Sequence, residues 1–294
     1  MIRSNELRIR QLPLWKGGIA IAPLRGGLSN ESYMVTDGAG KHVVRMGKDY
    51  PFHHVFRDRE LMTARAANEA GFAPAVEYAE PGLMVTAFVD GRTLTAQDVR
   101  KDPERIGKLL RRFHQTMPKF VSGPAFMFWV FHVIRDYART LREGGSRMVK
   151  ELDFYLALND ELEQAQMPLP IVFTHNDLLP NNFLDDSERL WLIDYEYAGF
   201  STAMFDLAGA GSNSGMNDEQ SHALLTAYFG EKPDGIVLRS YEAMQCASLL
   251  REAMWSMVSE LYLNAPGADY VSYTSDNLSR MRESLERYRE RYPV

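Results

Sequence analysis

The 294-residue sequence has a single cysteine, Cys246, so it can form neither an intramolecular disulfide nor a multi-cysteine zinc site. We therefore expect a protein of a reducing compartment, the cytoplasm. Long apolar runs are also missing, because the longest, residues 126–134, contains Trp129 and His132 and is too short to cross a bilayer. The N-terminus lacks the apolar core of a signal peptide. We expect neither a membrane segment nor a membrane partner.

Positive charge is scarce, since 33 lysines and arginines face 39 acidic residues and leave a net charge of −6. Such a chain has no general attraction to nucleic acid, and we expect no nucleic-acid polymer among its partners. A cationic small molecule fits this balance. The 45% hydrophobic and 24% charged content is that of a globular protein and excludes a disordered one. No Gly-x-x-x-x-Gly-Lys-Ser/Thr run occurs, which argues against a P-loop nucleoside triphosphatase.

The order of predicted elements divides the chain into two lobes. Strands are predicted over residues 19–22, 32–36, 41–46, 76–78 and 83–89, with one helix over 55–70. Helices are predicted around 106–113, over 126–141 and 148–166, and from about 218 to the end, with short extended pieces between 171 and 197. We therefore predict an α+β fold with a small antiparallel-sheet lobe (1–89) and a larger helical lobe (90–294). The cleft between two such lobes is a common ligand site.

The densest polar cluster follows an apolar strand in the second lobe. Asp177 and Asn182 lie five residues apart across a turn that contains proline, and Asp194 ends the next predicted strand. Oxygen ligands from Asn182 and Asp194 suit Mg²⁺, which keeps water and phosphate oxygens in its shell. Asp177 would then be free to orient or deprotonate a substrate hydroxyl. Order and spacing match those of phosphoryl-transfer enzymes, whereas a plain surface loop is the simpler alternative.

The first lobe supplies candidate phosphate ligands. Gly26 and Gly27 stand at a corner between strands, where backbone N–H groups can approach phosphate closely, although such a pair is often only a turn. Arg45 places a cation within an apolar strand, and a buried arginine needs a partner. Glu60 on the following predicted helix is the candidate, unless Arg45 points to water from an edge strand.

These motifs resemble those of the choline/ethanolamine kinases, which belong to the aminoglycoside-phosphotransferase group with a protein-kinase-like fold. The likeness is carried by His175-Asn176-Asp177-x-x-x-x-Asn182, by Ile193-Asp194-Tyr195-Glu196, by Gly26 to Asn30, and by Val44-Arg45. It continues to Phe205-Asp206, Met254-Trp255 and Tyr273, and so spans nearly the whole chain. The catalytic motifs specify the superfamily more strongly than they specify the substrate.

The resemblance implies an ATP- and Mg²⁺-dependent kinase that phosphorylates the hydroxyl of choline or a related amino alcohol. Asp177 would be the catalytic base, and Asn182 and Asp194 would bind Mg²⁺. Nucleotide binding would fall to Gly27, Ser29, Asn30, Arg45, Glu60, Thr86, Phe88 and Val89. The acceptor pocket would use Glu252, Trp255, Tyr273 and Glu196, unless Glu196 has a supporting role like that of Asp206. Asp206 and His175 are expected to order the catalytic loop.

The acceptor pocket departs from the eukaryotic pattern, because Glu252 stands where those kinases carry a second tryptophan. A carboxylate beside one tryptophan leaves both choline and ethanolamine open as acceptors. Another acceptor, such as an aminoglycoside or thiamine, is the alternative, and an aminoglycoside would need several carboxylates. The candidates are Asp218, Glu219, Glu252 and Glu260. A catalytically inactive binding protein is the last alternative, yet the predicted base, metal ligands and phosphate cation are all present.

Overall fold

We analysed a computed structural model of the chain, which describes residues 4–24, 30–263, 265 and 267–293. Its N-terminal part is a five-stranded antiparallel sheet of order β1-β2-β3-β5-β4. The elements are α1 (Ser4–Arg10), β1 (Ala20–Leu24), β2 (Glu31–Thr36), β3 (Lys41–Met46), α2 (Arg57–Glu69), β4 (Val76–Glu80) and β5 (Leu83–Ala87). Among the described residues, α2 is the α-helix inserted between these five strands, and it follows β3 and a short 3₁₀ turn at Pro51–His53.

Strand β3 shows how the alternation of side chains orients the sheet. His42, Val44 and Met46 are buried, and Val44 and Met46 join a small core with Ile9 of α1 and Val85 of β5. Val43 and Arg45 consequently point to the opposite face of the sheet. That alternation directs Arg45 away from the small core.

The C-terminal part is mainly helical. Its elements are β6 (Arg92–Thr93), α3 (Ala96–Lys101), α4 (Pro103–Thr116), α5 (Val130–Glu143), α6 (Leu152–Gln164), β7 (Ile171–Thr174), β8 (Phe183–Asp185), β9 (Leu190–Leu192), β10 (Gly199–Thr202), α7 (Ala203–Ser214), α8 (Asp218–Phe229), α9 (Gly235–Tyr262) and α10 (Tyr270–Arg291). The 28-residue helix α9 is largely buried and packs on α5, α7 and α10. Two small sheets, β6-β8-β9 and β7-β10, carry the polar loops predicted to hold the chemistry.

Several predicted boundaries were wrong. The helix predicted over 126–141 begins only at Val130, after an extended segment that bonds to β10 at Phe200. The helix predicted over 148–166 begins at Leu152, after a single 3₁₀ turn. Helices α1, α3 and α7 were not predicted. Helix α7 is rich in glycine and serine, which are weak helix formers, and tertiary packing against α9 stabilises it.

Within the described residues, no helix combines the length and the apolar character needed to cross a membrane. The boundary between lobes at residues 89 and 90 stays a prediction.

Candidate active site

The loop after β7 presents Asp177, and a 3₁₀ turn at Pro180–Asn182 brings Asn182 back to it. The Asn182 amide Nδ2 donates to the Asp177 carbonyl oxygen at 2.7 Å and to its carboxylate Oδ2 at 3.2 Å. Loss of solvation raises the pKa of Asp177 well above its usual value, and the neighbouring charges of Asp194 and Glu252 raise it further. A carboxylate with a raised pKa is a stronger base, as proton abstraction from an alcohol requires.

Asp206 on α7 holds this loop from behind. Its carboxylate is 1% exposed and accepts hydrogen bonds from the backbone N–H of His175 at 2.8 Å and of Asn176 at 2.7 Å. His114 Nε2 lies 2.9 Å from the same carboxylate. Asn176 has a left-handed backbone with φ of 64°, a conformation that asparagine tolerates better than most residues. These contacts fit the expected ordering role of Asp206.

His175 is buried within the same loop. Its Nε2 lies 2.9 Å from the carbonyl oxygen of Ile193, which connects the catalytic loop to the segment that carries Asp194. Burial lowers the pKa of His175, so the ring is neutral at neutral pH. This position fits the expected ordering role rather than that of a base.

Asp194 follows β9 and contacts a strand of the N-terminal sheet. Its backbone also lies in the left-handed region, with φ of 70°. Arg45 Nη2, from β3, donates to Asp194 Oδ1 at 2.6 Å across 149 residues of sequence. Burial would raise the pKa of Asp194, but the Arg45 guanidinium outweighs it and lowers the pKa below its usual value.

Arg45 is surrounded by carboxylates. Besides Asp194, its Nη2 lies 3.1 Å from Glu60 Oε1 and 3.8 Å from Glu196 Oε2. Glu60, on α2, is 4% exposed. Arg45 was predicted to pair with Glu60, and the structure places the two at ion-pair distance. The pair lies on the same face of the sheet as Val43.

Arg57 is a second arginine in this cluster, and it was not predicted from the sequence. Its Nη1 donates to Glu60 Oε2 at 2.6 Å and to Glu196 Oε2 at 3.1 Å, and Asn30 Nδ2 donates to the same Glu196 oxygen at 3.0 Å. Glu196 therefore contacts Asn30 and Arg57, two residues of the N-terminal part of the chain. The spacing of Arg57 and Glu60, three apart on one helix face, was the available signal.

Gly47 makes room for this cluster. A Cβ atom there would collide with Asn30 Oδ1 and approach Arg57 Cζ to 3.0 Å. A side chain at this position would therefore push apart two residues that hold Glu196.

Of the other predicted nucleotide ligands, Gly27 and Ser29 lie outside the described residues. Thr86 belongs to β5, and Phe88 and Val89 follow it. The Phe88 N–H donates to the Lys41 carbonyl at 3.3 Å, so an adenine ring would have to meet other backbone groups of this segment. The nucleotide-binding roles of these residues stay predictions.

The predicted acceptor residues Glu252, Trp255 and Tyr273 come together where α9 meets α10. Tyr273 OH donates to Glu252 Oε2 at 3.2 Å, and its ring centroid is 6.0 Å from that of Trp255. Trp255 is 8% exposed, and its Nε1 donates to Tyr197 OH at 2.8 Å. The Glu252 charge acts on the pKa of Tyr273 and raises it, as burial does. The Glu252 charge also raises the pKa of Asp177, which places this group near the Asp177 carboxylate.

Arg251 was also missed, and it changes the picture of Glu252. Arg251 is 2% exposed and forms an ion pair with Glu252. The Glu252 carboxylate, which was expected to bind the cationic acceptor, therefore already contacts Arg251 and Tyr273. The Arg251 guanidinium carbon lies 4.5 Å from the Tyr197 ring centroid. A lone arginine within the apolar run of α9 was the signal that such a buried partner exists.

The carboxylates proposed for an aminoglycoside pocket belong to separate ion pairs. Asp218 pairs with Arg291 at 2.5 Å, Glu260 with Arg147 at 3.1 Å, and Glu252 with Arg251. Glu219 is exposed on α8. These ion pairs do not form one acidic pocket.

The oxygen donors fit Mg²⁺ as a partial ligand set. Asn182 is 4% exposed, and its Nδ2 is fixed on Asp177, which leaves the amide oxygen Oδ1 as its acceptor group. Asp194 supplies a carboxylate held below its usual pKa and hence ionised. Among the described residues, no three His, Cys, Asp or Glu side chains cluster as a complete metal cage. Two oxygen ligands suit a Mg²⁺ ion that arrives with phosphate oxygens and water.

A family model and a curated relative both match the sequence of this chain. The sequence profile described as choline/ethanolamine kinase matches residues 21–212. A probable ethanolamine kinase of Arabidopsis thaliana is 27% identical over 232 residues, a match that covers 69% of this chain and 61% of that protein. The chain thus spans less than two thirds of the length of that relative.

Comparison with solved structures extends the match to nearly the whole chain. A choline/ethanolamine kinase family protein of Mesorhizobium loti superimposes with a TM-score of 0.78 at 25% identity, covering 96% of this chain and 95% of that one. LicA in complex with AMP superimposes with a TM-score of 0.75 at 18% identity, covering 97% and 98% of the two chains, which shows a common fold.

Proposed function

Because the chain belongs to the choline/ethanolamine kinase family, we propose that it transfers the γ-phosphoryl group of ATP to the hydroxyl of a small amino alcohol. The observation that carries this proposal is the meeting of Asp177, Asn182 and Asp194 with Arg45 from the other lobe. Asn182 lies within 3.2 Å of the Asp177 carboxylate, and Arg45 lies 2.6 Å from Asp194. Phosphoryl transfer needs these parts: a base, oxygen ligands for a metal, and a cation for the phosphates.

The chemistry assigned to Asp177 follows from its position and its raised pKa. In the transfer, the acceptor oxygen bonds to the γ-phosphorus while the bond from that phosphorus to the bridging oxygen breaks. The hydroxyl proton passes to an Asp177 carboxylate oxygen, and ADP leaves with the bridging oxygen. Asp206 keeps the loop in place for this step through its bonds to the His175 and Asn176 N–H groups.

Asn182 and Asp194 would hold Mg²⁺. The ion, when bound with ATP, would neutralise the charge on the phosphate oxygens. Arg45 would turn from Asp194 towards the phosphates while Glu60 keeps it oriented. Because Glu60 also bonds to Arg57, the arginine pair and the glutamate would move as one unit.

The acceptor side supports a small amino alcohol rather than a polycation. Glu252 is one carboxylate beside one tryptophan, Trp255, and its charge is already paired with Arg251. A polycationic aminoglycoside would need several free carboxylates at one place, and Asp218 and Glu260 are paired elsewhere. Choline and ethanolamine each carry one positive charge, which one carboxylate can match.

The test is an acceptor screen with ATP and MgCl₂, in which ADP release and phosphorylated product are measured for each alcohol. Choline, ethanolamine, thiamine and an aminoglycoside form the panel, and a reaction without acceptor gives the rate of plain ATP hydrolysis. We expect ADP and phosphoester in equal amounts with choline or ethanolamine. Phosphorylation of the aminoglycoside or thiamine alone would replace the proposed acceptor. Nucleotide binding with no product from any alcohol would contradict the kinase proposal.

A further inference from the structure

Arg251 stands at the junction of the two walls of the acceptor pocket. On one side it forms an ion pair with Glu252, whose other oxygen accepts from Tyr273 OH at 3.2 Å. On the other side its guanidinium covers the ring of Tyr197, with the carbon 4.5 Å from the ring centroid. Tyr197 OH in turn accepts from Trp255 Nε1 at 2.8 Å. One buried cation thus holds both the carboxylate wall and the aromatic wall.

The aromatic wall offers little surface to a quaternary ammonium. Trp255 is only 8% exposed, and its ring lies against those of His53 at 5.2 Å and Tyr273 at 6.0 Å, measured between ring centroids. A trimethylammonium group binds through the open faces of aromatic rings. The His53 ring is tilted by 33° over Trp255 and the Tyr273 ring meets it edge-on at 66°, so the nearly buried indole leaves little open face.

The carboxylate wall favours a cation that donates hydrogen bonds. Glu252 holds one bond on each oxygen, and a carboxylate has about four lone-pair positions, so positions remain for N–H donors. The positive charge of Arg251 cancels much of the long-range attraction of Glu252, which leaves the short-range hydrogen bond as the main gain. Ethanolamine can form that bond, whereas choline has no N–H group.

Resting on the proposed function, we infer that Arg251 is a positioning residue that fixes the Glu252 carboxylate to accept hydrogen bonds from a primary ammonium, so that the enzyme prefers ethanolamine to choline. The charge of Arg251 acts on both acceptors alike, because both carry one positive charge. The ratio of kcat/KM for ethanolamine to that for choline therefore reports the placement of Glu252 rather than the overall charge of the pocket.

The experiment measures this ratio in the wild type and in four variants. Glu252→Gln removes the charged acceptor and is expected to lower the ratio at least about tenfold, the size of one charge-assisted hydrogen bond. Arg251→Met keeps an apolar stem over Tyr197 but frees Glu252, and is expected to lower the ratio about fivefold or more. Arg251→Lys loses the guanidinium plane over Tyr197 but keeps a cation beside Glu252, and because the ratio depends on the placement of Glu252 it should stay within about threefold of the wild type.

The double variant Arg251→Met/Glu252→Gln closes the cycle. Because Arg251 acts through Glu252, the double variant should have the same ratio as Glu252→Gln alone. KM for ATP should stay within about twofold throughout, since both residues lie on the acceptor side of Asp177. Should Arg251→Met not fold, Arg251→Gln takes its place in both the single and the double variant, because it is also uncharged but keeps polar groups in the buried site.

Three outcomes would overturn the inference while leaving the kinase intact: a wild type that prefers choline, a Glu252→Gln ratio equal to that of the wild type, or an Arg251→Met variant that loses both acceptors equally. If the wild type binds ATP but phosphorylates neither alcohol, the proposed function fails, and the inference fails with it.

Discussion

Replacing Asp206 by asparagine tests how the catalytic loop is held. The carboxylate is 1% exposed and accepts the backbone N–H groups of His175 and Asn176, with His114 Nε2 at 2.9 Å. Asparagine keeps the shape but has one acceptor oxygen and an NH₂ group, so one of the two backbone donors loses its partner. An unsatisfied buried donor costs about 1–3 kcal/mol, and loss of a buried charged partner raises the total to about 3–5 kcal/mol.

The assay is urea unfolding together with steady-state kinetics. We expect Asp206→Asn to lower the free energy of unfolding by about 3–5 kcal/mol and to lower kcat, because the loop that carries Asp177 is displaced. Asp218→Asn is the matched control, since Asp218 is an exposed carboxylate whose pair with Arg291 is worth at most about 1 kcal/mol. A loss below about 1 kcal/mol for Asp206→Asn, equal to that of the control, would refute this account of the loop.

The remaining predictions concern the Arg45–Glu60 cluster, Gly47 and one buried histidine. Arg45→Ala and Glu60→Ala should each raise KM for ATP. Because the two side chains lie 3.1 Å apart, the free-energy loss calculated from kcat/KM for ATP should be smaller in the double variant than the sum of the two single losses. Strict additivity would show that the contact contributes nothing to ATP use. Gly47→Ala should raise KM for ATP while KM for the acceptor stays constant, because its Cβ displaces Asn30 and Arg57; an unchanged KM for ATP would show that this cluster does not support the nucleotide site. Burial, with Arg251 and His54 nearby, lowers the pKa of His53 to about 3. The folded state therefore binds fewer protons than the unfolded state between about pH 6.5 and 3. The free energy of unfolding consequently falls as the pH falls through this window. Urea unfolding at pH 7.5 and pH 5 should show that the wild type loses about 2 kcal/mol more than His53→Asn, whereas parallel losses would contradict the buried neutral state.

The fold class and the family could be predicted because the informative signals are local. Asp177 and Asn182 lie five residues apart in one turn, and Asp194 follows a short strand, so spacing alone relates them. The predicted kinase-like fold agrees with the structural matches across 96% of the chain.

The parts that were missed depend on contacts between distant segments. Arg57 and Glu196 meet across 139 residues, and nothing in the local sequence relates them. Helix α7 was missed because its glycines disfavour a helix when read alone. In the structure Gly211 is needed, because a Cβ atom there would collide with Tyr241 of α9. Close helix packing explains why a weak helix former occupies that position.

The acceptor pocket shows the same limit. Glu252 was expected to face a cationic acceptor, and its neighbour Arg251 was not considered as a partner, because adjacent residues lie on different faces in a simple helical projection. The structure shows that the long arginine side chain reaches Glu252 and buries itself against Tyr197. Side-chain length, which a projection ignores, decided that pairing.

The central claim is that Asp177 acts at the chemical step while Asp194 also serves nucleotide binding. The most direct measurement compares turnover with calorimetric binding of ATP and Mg²⁺ for Asp177→Ala and Asp194→Ala. Asp160→Asn is the control, because Asp160 is exposed and pairs only with Arg135 among the described residues. We expect Asp177→Ala to lose most of kcat and keep ATP affinity, and Asp194→Ala to lose both turnover and Mg²⁺-dependent nucleotide binding. Wild-type kcat in Asp177→Ala would contradict the account.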